Sequence, residues 1–166
     1  DGATRLKTGS TSLALYNLSA SATRDNLSLI AVVLRAPTPT ERVSNARNLL
    51  DYGFSNFEFF QTSEKDKVVQ KVEVEKGIEK EVELVYKENS GTILKKGTSS
   101  NVETRMNINE KISAPINKGD VLGKVEFYLE DKKIASSDLV AKNSIEKIGT
   151  FTNFRYITNM WFTLLR

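Results

Sequence analysis

The stretch that decides the fold runs from Leu13 to Leu34 and reads Leu-Ala-Leu-Tyr-Asn-Leu-Ser-Ala-Ser-Ala-Thr-Arg-Asp-Asn-Leu-Ser-Leu-Ile-Ala-Val-Val-Leu. It contains two mostly apolar runs, separated by a turn signal at Asp25 and Asn26. The first run ends in small residues, which suit a strand packed closely against its neighbours. The second is almost continuously apolar, as in a central, buried strand. We therefore predict an antiparallel hairpin.

A helix is predicted directly after this hairpin. Pro37 and Pro39 interrupt the chain, and either Thr38 or Thr40 can cap a helix that has Glu41 in its first turn. A glycine at position 53 lies where such a helix would end. With a further strand before the hairpin, residues 1–60 predict the order strand, strand, strand, helix. The apolar residues that recur at helical spacing are Val43, Ala46, Leu49, Leu50 and Phe54.

From about residue 61 the pattern changes to an apolar period of two. Turns such as Asn89-Ser90-Gly91 and Lys118-Gly119-Asp120 separate the apolar runs, and Glu and Lys fill the alternate positions. This pattern predicts a small all-β sandwich or barrel whose strands each have one wet face. The apolar positions are Val68, Val72, Val74, Val82, Leu84, Tyr86, Ile93, Leu94, Val102, Met106, Ile108, Ile112, Ala114, Ile116, Val125, Phe127 and Leu129.

The last segment, residues 151–166, has an apolar period typical of a helix with one broad apolar face. One interpretation is a helix that lies in a membrane interface, because the apolar face is aromatic and the polar face carries cations. The other is a helix docked on its own domain or on a second copy, and the residues alone favour neither. The apolar face consists of Phe151, Phe154, Ile157, Trp161, Phe162, Leu164 and Leu165.

Composition excludes several classes of function. The chain has no Cys and no His, which removes disulfides, thiolate nucleophiles, zinc sites and histidine-based triads. The net charge of +3 is too weak for nucleic-acid binding, and residues 61–150 hold sixteen basic and sixteen acidic side chains. No apolar run reaches the roughly 18 residues that would span a bilayer.

The tripeptide Lys7-Thr8-Gly9 is the candidate for chemistry. A cation beside a hydroxyl on a strand edge can bind a peptide carboxylate, and glycine lets a substrate lie close to the backbone. Three common residues are nevertheless weak evidence, and the ordinary alternative is an exposed strand with no function. Whether the tripeptide is functional must therefore be judged from the sequence around it.

Those surroundings form a long series of matching segments. Asp1-Gly and Leu6-Lys-Thr-Gly-Ser-Thr-Ser precede Tyr16-Asn-Leu-Ser-Ala-Ser-Ala-Thr-Arg and Leu29-Ile-Ala-Val-Val-Leu. Then follow Ala36-Pro-Thr-Pro-Thr-Glu-Arg, Leu49-Leu-Asp-Tyr-Gly-Phe, Ala114-Pro-Ile-Asn-Lys-Gly-Asp-Val-Leu-Gly and Leu139-Val-Ala. The series resembles the end of the catalytic domain and the second domain of the D-alanyl-D-alanine carboxypeptidases, the low-molecular-mass penicillin-binding proteins. The resemblance covers nearly the whole chain.

The resemblance implies a role for each of five residues. Lys7, Thr8 and Gly9 match the third catalytic motif, in which Lys7 supplies positive charge and Thr8 hydrogen-bonds the substrate carboxylate. The backbone N–H of Ser10 serves as an oxyanion-hole donor. Arg42 matches an arginine that holds the terminal carboxylate of D-Ala-D-Ala, which suits the bidentate guanidinium. Without the resemblance, Arg42 reads as an ordinary exposed helix residue.

The remaining motifs of that family are missing here. The family needs a Ser-x-x-Lys nucleophile pair and a Ser-x-Asn motif before Lys-Thr-Gly. The similar strings Ser99-Ser-Asn and Ser144-Ile-Glu-Lys follow it and are interpreted as accidents. We therefore expect the chain to begin within a longer domain. Leu15 and Arg35 stand where the family has glycine, and Ala3-Thr-Arg is inserted before Leu-Lys-Thr-Gly.

The resemblance implies a fold and a domain order. The fold is an α+β fragment, namely antiparallel strands plus a helix from a penicillin-binding transpeptidase-like domain, followed by a small all-β sandwich domain and a C-terminal amphipathic helix. Residues 1–60 are the end of the catalytic domain, residues 61–148 the β-rich second domain, and residues 149–166 a membrane-interface helix. The implied anchor residues are Phe151, Phe154, Ile157, Trp161, Phe162 and Leu165.

The implied function is part of a bacterial serine-type carboxypeptidase that removes the terminal D-Ala from peptidoglycan stem peptides. Its partners would be stem peptides ending in D-Ala-D-Ala, β-lactams and a membrane surface, with no nucleic acid, metal or organic cofactor. The implied location is extracytoplasmic, at the outer face of the cytoplasmic membrane. The alternative is a non-catalytic stalk or protein-interaction module of a cell-wall protein.

Overall fold

The computed structural model describes residues 2–149, which hold ten strands, one α-helix and one short 3-10 helix at Ser99–Asn101. The strands and the helix are β1 Ala3–Thr11, β2 Leu15–Arg24, β3 Leu27–Ala36, α1 Pro39–Asn56, β4 Phe57–Ser63, β5 Val68–Glu73, β6 Glu81–Tyr86, β7 Ser90–Lys95, β8 Glu103–Ile108, β9 Val121–Leu129 and β10 Lys132–Ala141.

The described residues form two compact units. The first unit comprises residues 2–60 and 91–102, and the second comprises residues 61–90 and 103–149. The boundary falls within β4 and at the start of β7, and these two strands pair as a two-stranded sheet. The division into domains made from the sequence stays a prediction, because a compact unit need not fold alone.

In the first unit, an antiparallel sheet of order β1-β2-β3 packs against α1. The hairpin prediction is confirmed, since Arg24 pairs with Leu27 and the turn residues Asp25 and Asn26 have φ of 48° and 64°. Two consecutive residues with positive φ are typical of the tight turn whose twist matches a hairpin. Most of the core residues are alanines, which lets the helix approach the sheet closely. That core consists of Leu18, Ala20, Ala31, Val33, Ala36 and Ala46.

The helix begins as the sequence indicates but ends later. Thr38 is its N-cap, and Thr38 Oγ1 accepts a hydrogen bond of 3.1 Å from the backbone N–H of Glu41. The predicted end at Gly53 is wrong, because the helix continues to Asn56. Gly53 instead serves packing, since a Cβ there would lie 2.5 Å from Leu29 Cδ1. The glycine therefore lets α1 lie close to β3.

The second unit is built on a five-stranded sheet of order β5-β6-β10-β9-β8, with every neighbouring pair antiparallel. Leu84, Val125 and Leu139, on β6, β9 and β10, are fully buried. Isolated bridges join the segments between the strands, such as Ile116 to Ile145. These bridged segments bury Val74, Ile112, Ala114, Ile116 and Ile145.

Four hydroxyl groups form a network inside the second unit. Ser90 Oγ lies 2.8 Å from Thr62 Oγ1, 2.8 Å from Ser63 Oγ and 2.9 Å from Ser137 Oγ. Ser63 Oγ donates to the carbonyl oxygen of Glu88 at 2.8 Å, so Ser90 must donate to Ser63 and accept from the other two. One proton arrangement therefore satisfies all four hydroxyls, three of which are buried.

The predicted fold class is wrong. Residues 2–149 are mostly antiparallel strand with a single α-helix, rather than an α+β transpeptidase-like fragment. The prediction carried over the class of a larger domain, whereas helical periodicity between residues 2 and 149 is confined to α1. The sandwich is not observed either, because the second unit has one sheet and isolated bridges rather than two packed sheets. The period-two pattern shows that each strand has a buried face, but it does not show what covers that face.

Apart from residue 149, the predicted C-terminal helix of residues 149–166 lies outside the described residues, as do all its anchor residues. Within residues 2–149 there is no helix with the length and apolar character needed to span a bilayer.

Candidate functional site

The Lys-Thr-Gly segment lies on β1, at one edge of the three-stranded sheet. Lys7, Thr8, Gly9 and Ser10 are all exposed, as is every residue of β1. Among the described residues β1 pairs only with β2, so its outer edge presents backbone N–H and C=O groups without a strand partner. Such an edge can bind an extended peptide by adding it as a further strand.

The register of β1 distributes these side chains over both faces of the sheet. Lys7 pairs with Ser19, which pairs in turn with Val32 on β3. Thr8 pairs with Leu18, which is buried beneath α1. Because directly opposed residues share a face, Thr8 lies on the helix-covered side and Lys7 on the opposite side.

That opposite side is an open apolar face, which we define as the side chains of Ile30, Val32 and Leu34 on β3. Their exposed fractions are 73%, 57% and 72%. The sequence predicted a fully buried central strand here, and this is wrong for the described residues, where β3 is an edge strand with only one covered face. Lys7 therefore stands beside an apolar surface that residues 2–149 leave open.

Arg42 contacts the aromatic ring of Tyr16, which lies beside the Ser10 end of β1. It lies in the first turns of α1, and its guanidinium carbon is 5.6 Å from the centroid of the Tyr16 ring, which allows a cation–π contact. Tyr16 pairs with Ser10 in the sheet. The Arg42 Nε–H is buried and has no hydrogen-bond partner in the described part of the chain. An unpaired buried donor of this kind costs about 1–3 kcal/mol.

Two residues at this end of the sheet have unusual backbone conformations. Leu15 has φ of 52° and Arg35 has φ of 59°, both in the left-handed region. These are the two positions at which the sequence lacks an expected glycine, and the structure gives the reason for expecting one, since glycine alone adopts this region without steric cost. For each of the two, the cost is about 1–2 kcal/mol.

Asn17 holds both unusual segments and was not singled out from the sequence. Its Nδ2 donates to the carbonyl oxygens of Ala14 and Leu15 at 3.0 and 3.4 Å, and its Oδ1 accepts from the backbone N–H of Arg35 at 2.9 Å. Asn17 also pairs with Gly9. The sequence signal that could have identified Asn17 is a single amide side chain in a strand of otherwise apolar or small residues. Such a side chain can hydrogen-bond backbone groups and so stabilise an irregular strand end.

In the two serine strings that follow the tripeptide, Ser100 and Ser144 form hydrogen bonds with neighbouring protein groups. Ser100 Oγ donates to Asn101 Oδ1 at 3.3 Å within the 3-10 helix. Ser144 Oγ accepts a hydrogen bond of 2.9 Å from the backbone N–H of Lys118. Over residues 2–149 no group of three or more acidic side chains is arranged to hold a metal ion.

Comparisons with known proteins identify the relatives of this chain. Residues 57–147 match the family model for the penicillin-binding protein 5 C-terminal domain. The chain is 36% identical over 161 residues to the D-alanyl-D-alanine carboxypeptidase DacF of Bacillus subtilis, covering 96% of this chain and 41% of the relative. It is 40% identical over 148 residues to DacA of Haemophilus influenzae, covering 88% of this chain and 38% of the relative.

Solved structures give the same result. Penicillin-binding protein 5 of Haemophilus influenzae is 39% identical, with a TM-score of 0.70 over 85% of this chain and 42% of that one. PBP3 of Streptococcus pneumoniae, described as a peptidoglycan synthesis regulatory factor, is 26% identical with a TM-score of 0.60, over 87% of this chain and 43% of that one. The chain spans about two fifths of the length of the curated relatives it matches.

Proposed function

This chain belongs to the penicillin-binding protein 5 family of D-alanyl-D-alanine carboxypeptidases, as its C-terminal portion, and we propose that it is part of a serine-type carboxypeptidase. The whole protein would remove the terminal D-Ala from peptidoglycan stem peptides outside the cytoplasm. The attacking serine and its lysine would belong to sequence upstream of residue 1. Residues 1–60 would complete the catalytic domain, and residues 61–148 would form the second domain.

The observation that carries this proposal is the position of Arg42 against Tyr16, the β2 residue that pairs with Ser10 of β1. The Arg42 Nε–H is buried without a partner, and the guanidinium stacks on Tyr16, the sheet neighbour of Ser10. A peptide that pairs with the edge of β1 would bring its terminal carboxylate towards this donor. Thr8 would then supply a hydroxyl on the side of Arg42, and Lys7 a cation on the opposite side of the same strand.

In this mechanism the serine attacks the carbonyl carbon between the two D-alanines, and the tetrahedral oxyanion accepts a hydrogen bond from the Ser10 backbone N–H. The intermediate collapses with release of D-Ala as the free amino acid, which takes a proton. Water then hydrolyses the acyl-enzyme and restores the serine hydroxyl. The role of this chain is to bind the carboxylate and to stabilise charge, since both sites lie on β1 and α1.

The open apolar face supports a contribution to a larger domain. Full burial of one large aliphatic side chain contributes roughly 1.5–3 kcal/mol, and Ile30, Val32 and Leu34 are each more than half exposed. Upstream sequence that packs on this face would recover that free energy. It would also place its own residues on the side of the sheet that carries Lys7.

Acylation by a fluorescent penicillin tests the proposal. The 166-residue chain should take no covalent label, whereas the protein that includes its upstream sequence should label at a serine. In that longer protein, Arg42→Ala should lower kcat/KM for release of D-Ala by about 10- to 150-fold, because a hydrogen bond to a charged group contributes about 1.5–3 kcal/mol. Arg47→Ala, an exposed arginine of the same helix, is the matched control and should change little.

Two results would contradict the proposal. One is a labelled band from the 166-residue chain, which would mean that it carries its own nucleophile. The other is an unlabelled longer protein, which would favour a non-catalytic stalk or interaction module. The specific observation in favour of that second candidate is the family-model match over residues 57–147, which leaves out Lys7, Thr8 and Arg42.

Membrane association through residues 149–166 is a separate part of the proposal. Its support is the aromatic and aliphatic pattern of Phe151, Phe154, Ile157, Trp161, Phe162 and Leu165 in the sequence. Co-sedimentation with liposomes should be lost when residues 151–166 are removed. Equal binding by both forms would reject the anchor and leave the carboxypeptidase proposal untouched.

A further inference from the structure

A cavity of about 420 Å³ in the second unit collects four lysine side chains from four separate segments. We call it the lysine cavity. Its lysines are Lys65 before β5, Lys87 after β6, Lys118 before β9 and Lys142 after β10. Its floor is apolar and is formed by Val85, Val140 and Ala141, all of them buried.

Hydrogen bonds fix the backbone of the segments that carry these lysines. The N–H of Lys65 donates to Asn89 Oδ1 at 2.7 Å, and the N–H of Lys118 donates to Ser144 Oγ at 2.9 Å. The N–H of Lys142 donates to the carbonyl oxygen of Glu83 at 3.0 Å. The backbones of these three lysines are therefore held in place before any ligand arrives, which lowers the entropic cost of binding.

Two of the lysines already have carboxylate partners. Lys142 Nζ lies 2.6 Å from Glu83, and this hydrogen bond is the main reason that the pKa of Glu83 is below its usual value. Lys87 Nζ lies 3.3 Å from Asp138.

The other two lysines differ, because neither Lys65 nor Lys118 forms an ion pair within the part of the chain that the structure covers. Asp66 is the one carboxylate in the lining. The positive charges of the four lysines outnumber the negative charges of Asp66, Asp138 and Glu83, so the lysine cavity keeps a net positive charge.

We propose that the lysine cavity binds a phosphate-bearing anion, with Lys65 and Lys118 as its direct ligands. Lysine acts as a compact point charge, and separated point charges suit a tetrahedral phosphate better than the planar carboxylate that arginine matches. The apolar floor would receive the carbon skeleton of a polyol phosphate. Such a group occurs both in soluble phosphodiester polymers and in phospholipid headgroups. The site does not depend on the proposed catalysis.

Binding is tested on the 166-residue chain by NMR titration with inorganic phosphate and with glycerol 3-phosphate. We expect saturable shifts at the amides of residues 117–120 and 141–143. The double substitution Lys65→Gln and Lys118→Gln should weaken binding about tenfold or more, because each lysine would donate a charge-assisted hydrogen bond. Lys80→Gln with Lys111→Gln removes the same charge from exposed positions outside the cavity and should weaken binding less than about twofold.

The source of the phosphate is distinguished by two further ligands, a soluble glycerol phosphate polymer and vesicles of phosphatidylglycerol in phosphatidylcholine. Dependence on Lys65 and Lys118 with either ligand supports the site and identifies its source. The proposal is overturned if neither small phosphate gives saturable shifts. It is equally overturned if both double variants lose the same affinity, since binding would then reflect overall charge alone.

Discussion

The two sheets of this protein differ in how completely their own residues cover them. In the first unit β1 is exposed along its whole length, and the apolar side chains of Ile30 and Leu34 face solvent. In the second unit Leu84 and Leu139 are fully buried within residues 2–149. Both sheets have apolar residues enough for a core. The difference is that the second sheet has a core closed by its own unit, whereas residues 2–149 leave one face of the first sheet open.

The largest expected effect compares two leucines in strands. Leu84→Ala in the second unit should lower the free energy of unfolding by roughly 2–5 kcal/mol, because it leaves a cavity in a packed core. Leu34→Ala on the open apolar face should change it by no more than about 0.5 kcal/mol. Urea denaturation of the 166-residue chain measures both. A cost above about 1.5 kcal/mol for Leu34→Ala would mean that this face is covered.

The next largest loss of stability is expected from disrupting the hydroxyl network of the second unit. Ser90→Ala removes the one group that contacts Thr62, Ser63 and Ser137. We expect a loss of about 1–3 kcal/mol, because buried hydroxyls would lose their partner. Thermal unfolding measures the change, and Ser136→Ala, at an exposed position on β10, should be neutral. Equal melting temperatures for the two variants would mean that the hydroxyl network contributes no stability to the second unit.

A smaller effect is expected from relieving backbone conformation in the first unit. Arg35 has φ of 59°, so Arg35→Gly should raise stability by about 0.5–1 kcal/mol after the greater flexibility of glycine in the unfolded chain is subtracted. Leu34→Gly is the control, because its ordinary strand conformation gains nothing from glycine and should lose stability. If Arg35→Gly destabilises the chain as much as the control does, the side chain of Arg35 has a role that its backbone does not reveal.

The smallest effect concerns pH in the second unit. Hydrogen bonds from Lys133 and Tyr128, with a weaker contribution from Lys124, lower the pKa of Glu126 to about 2. The folded state therefore binds this proton less readily than the unfolded state. Its stabilising contribution is complete above the ordinary pKa of 4.5 and is lost as pH falls towards 2. Denaturation at a series of pH values should show a shallower decline below pH 4.5 for Glu126→Gln. An unchanged slope would contradict the assignment.

The sequence predicted local elements well where a single residue type controls the backbone. The turn at Asp25 and Asn26 is confirmed, and of the two candidate caps, Thr38 and Thr40, the structure has Thr38. Both features depend on chemistry within a few residues. The helix end was missed since Gly53 serves contact with Leu29, which is distant in sequence. The exposure of one face of β3 was missed for a similar reason. An apolar run in the sequence does not show which faces of a strand are covered by other parts of the same chain.

The candidate site shows the same limit. Lys7, Thr8, Gly9, Ser10 and Arg42 were selected through the resemblance, and their roles stay predictions. The neighbourhood of Arg42 and Tyr16 could not be predicted from periodicity, because it depends on how α1 lies on the sheet. The fold class was wrong because it described a larger domain than the residues at hand contain.

The pairing of β4 with β7 has a consequence for how such proteins could exchange parts during evolution. The chain crosses between the two units after Phe60, after Ser90 and after Val102. A recombination breakpoint at residue 61 would fall inside β4 and would pair residues 57–60 of one parent with a β7 inherited from the other. A breakpoint before Phe57 would transfer both strands intact, so we expect inherited boundaries to fall at the end of α1.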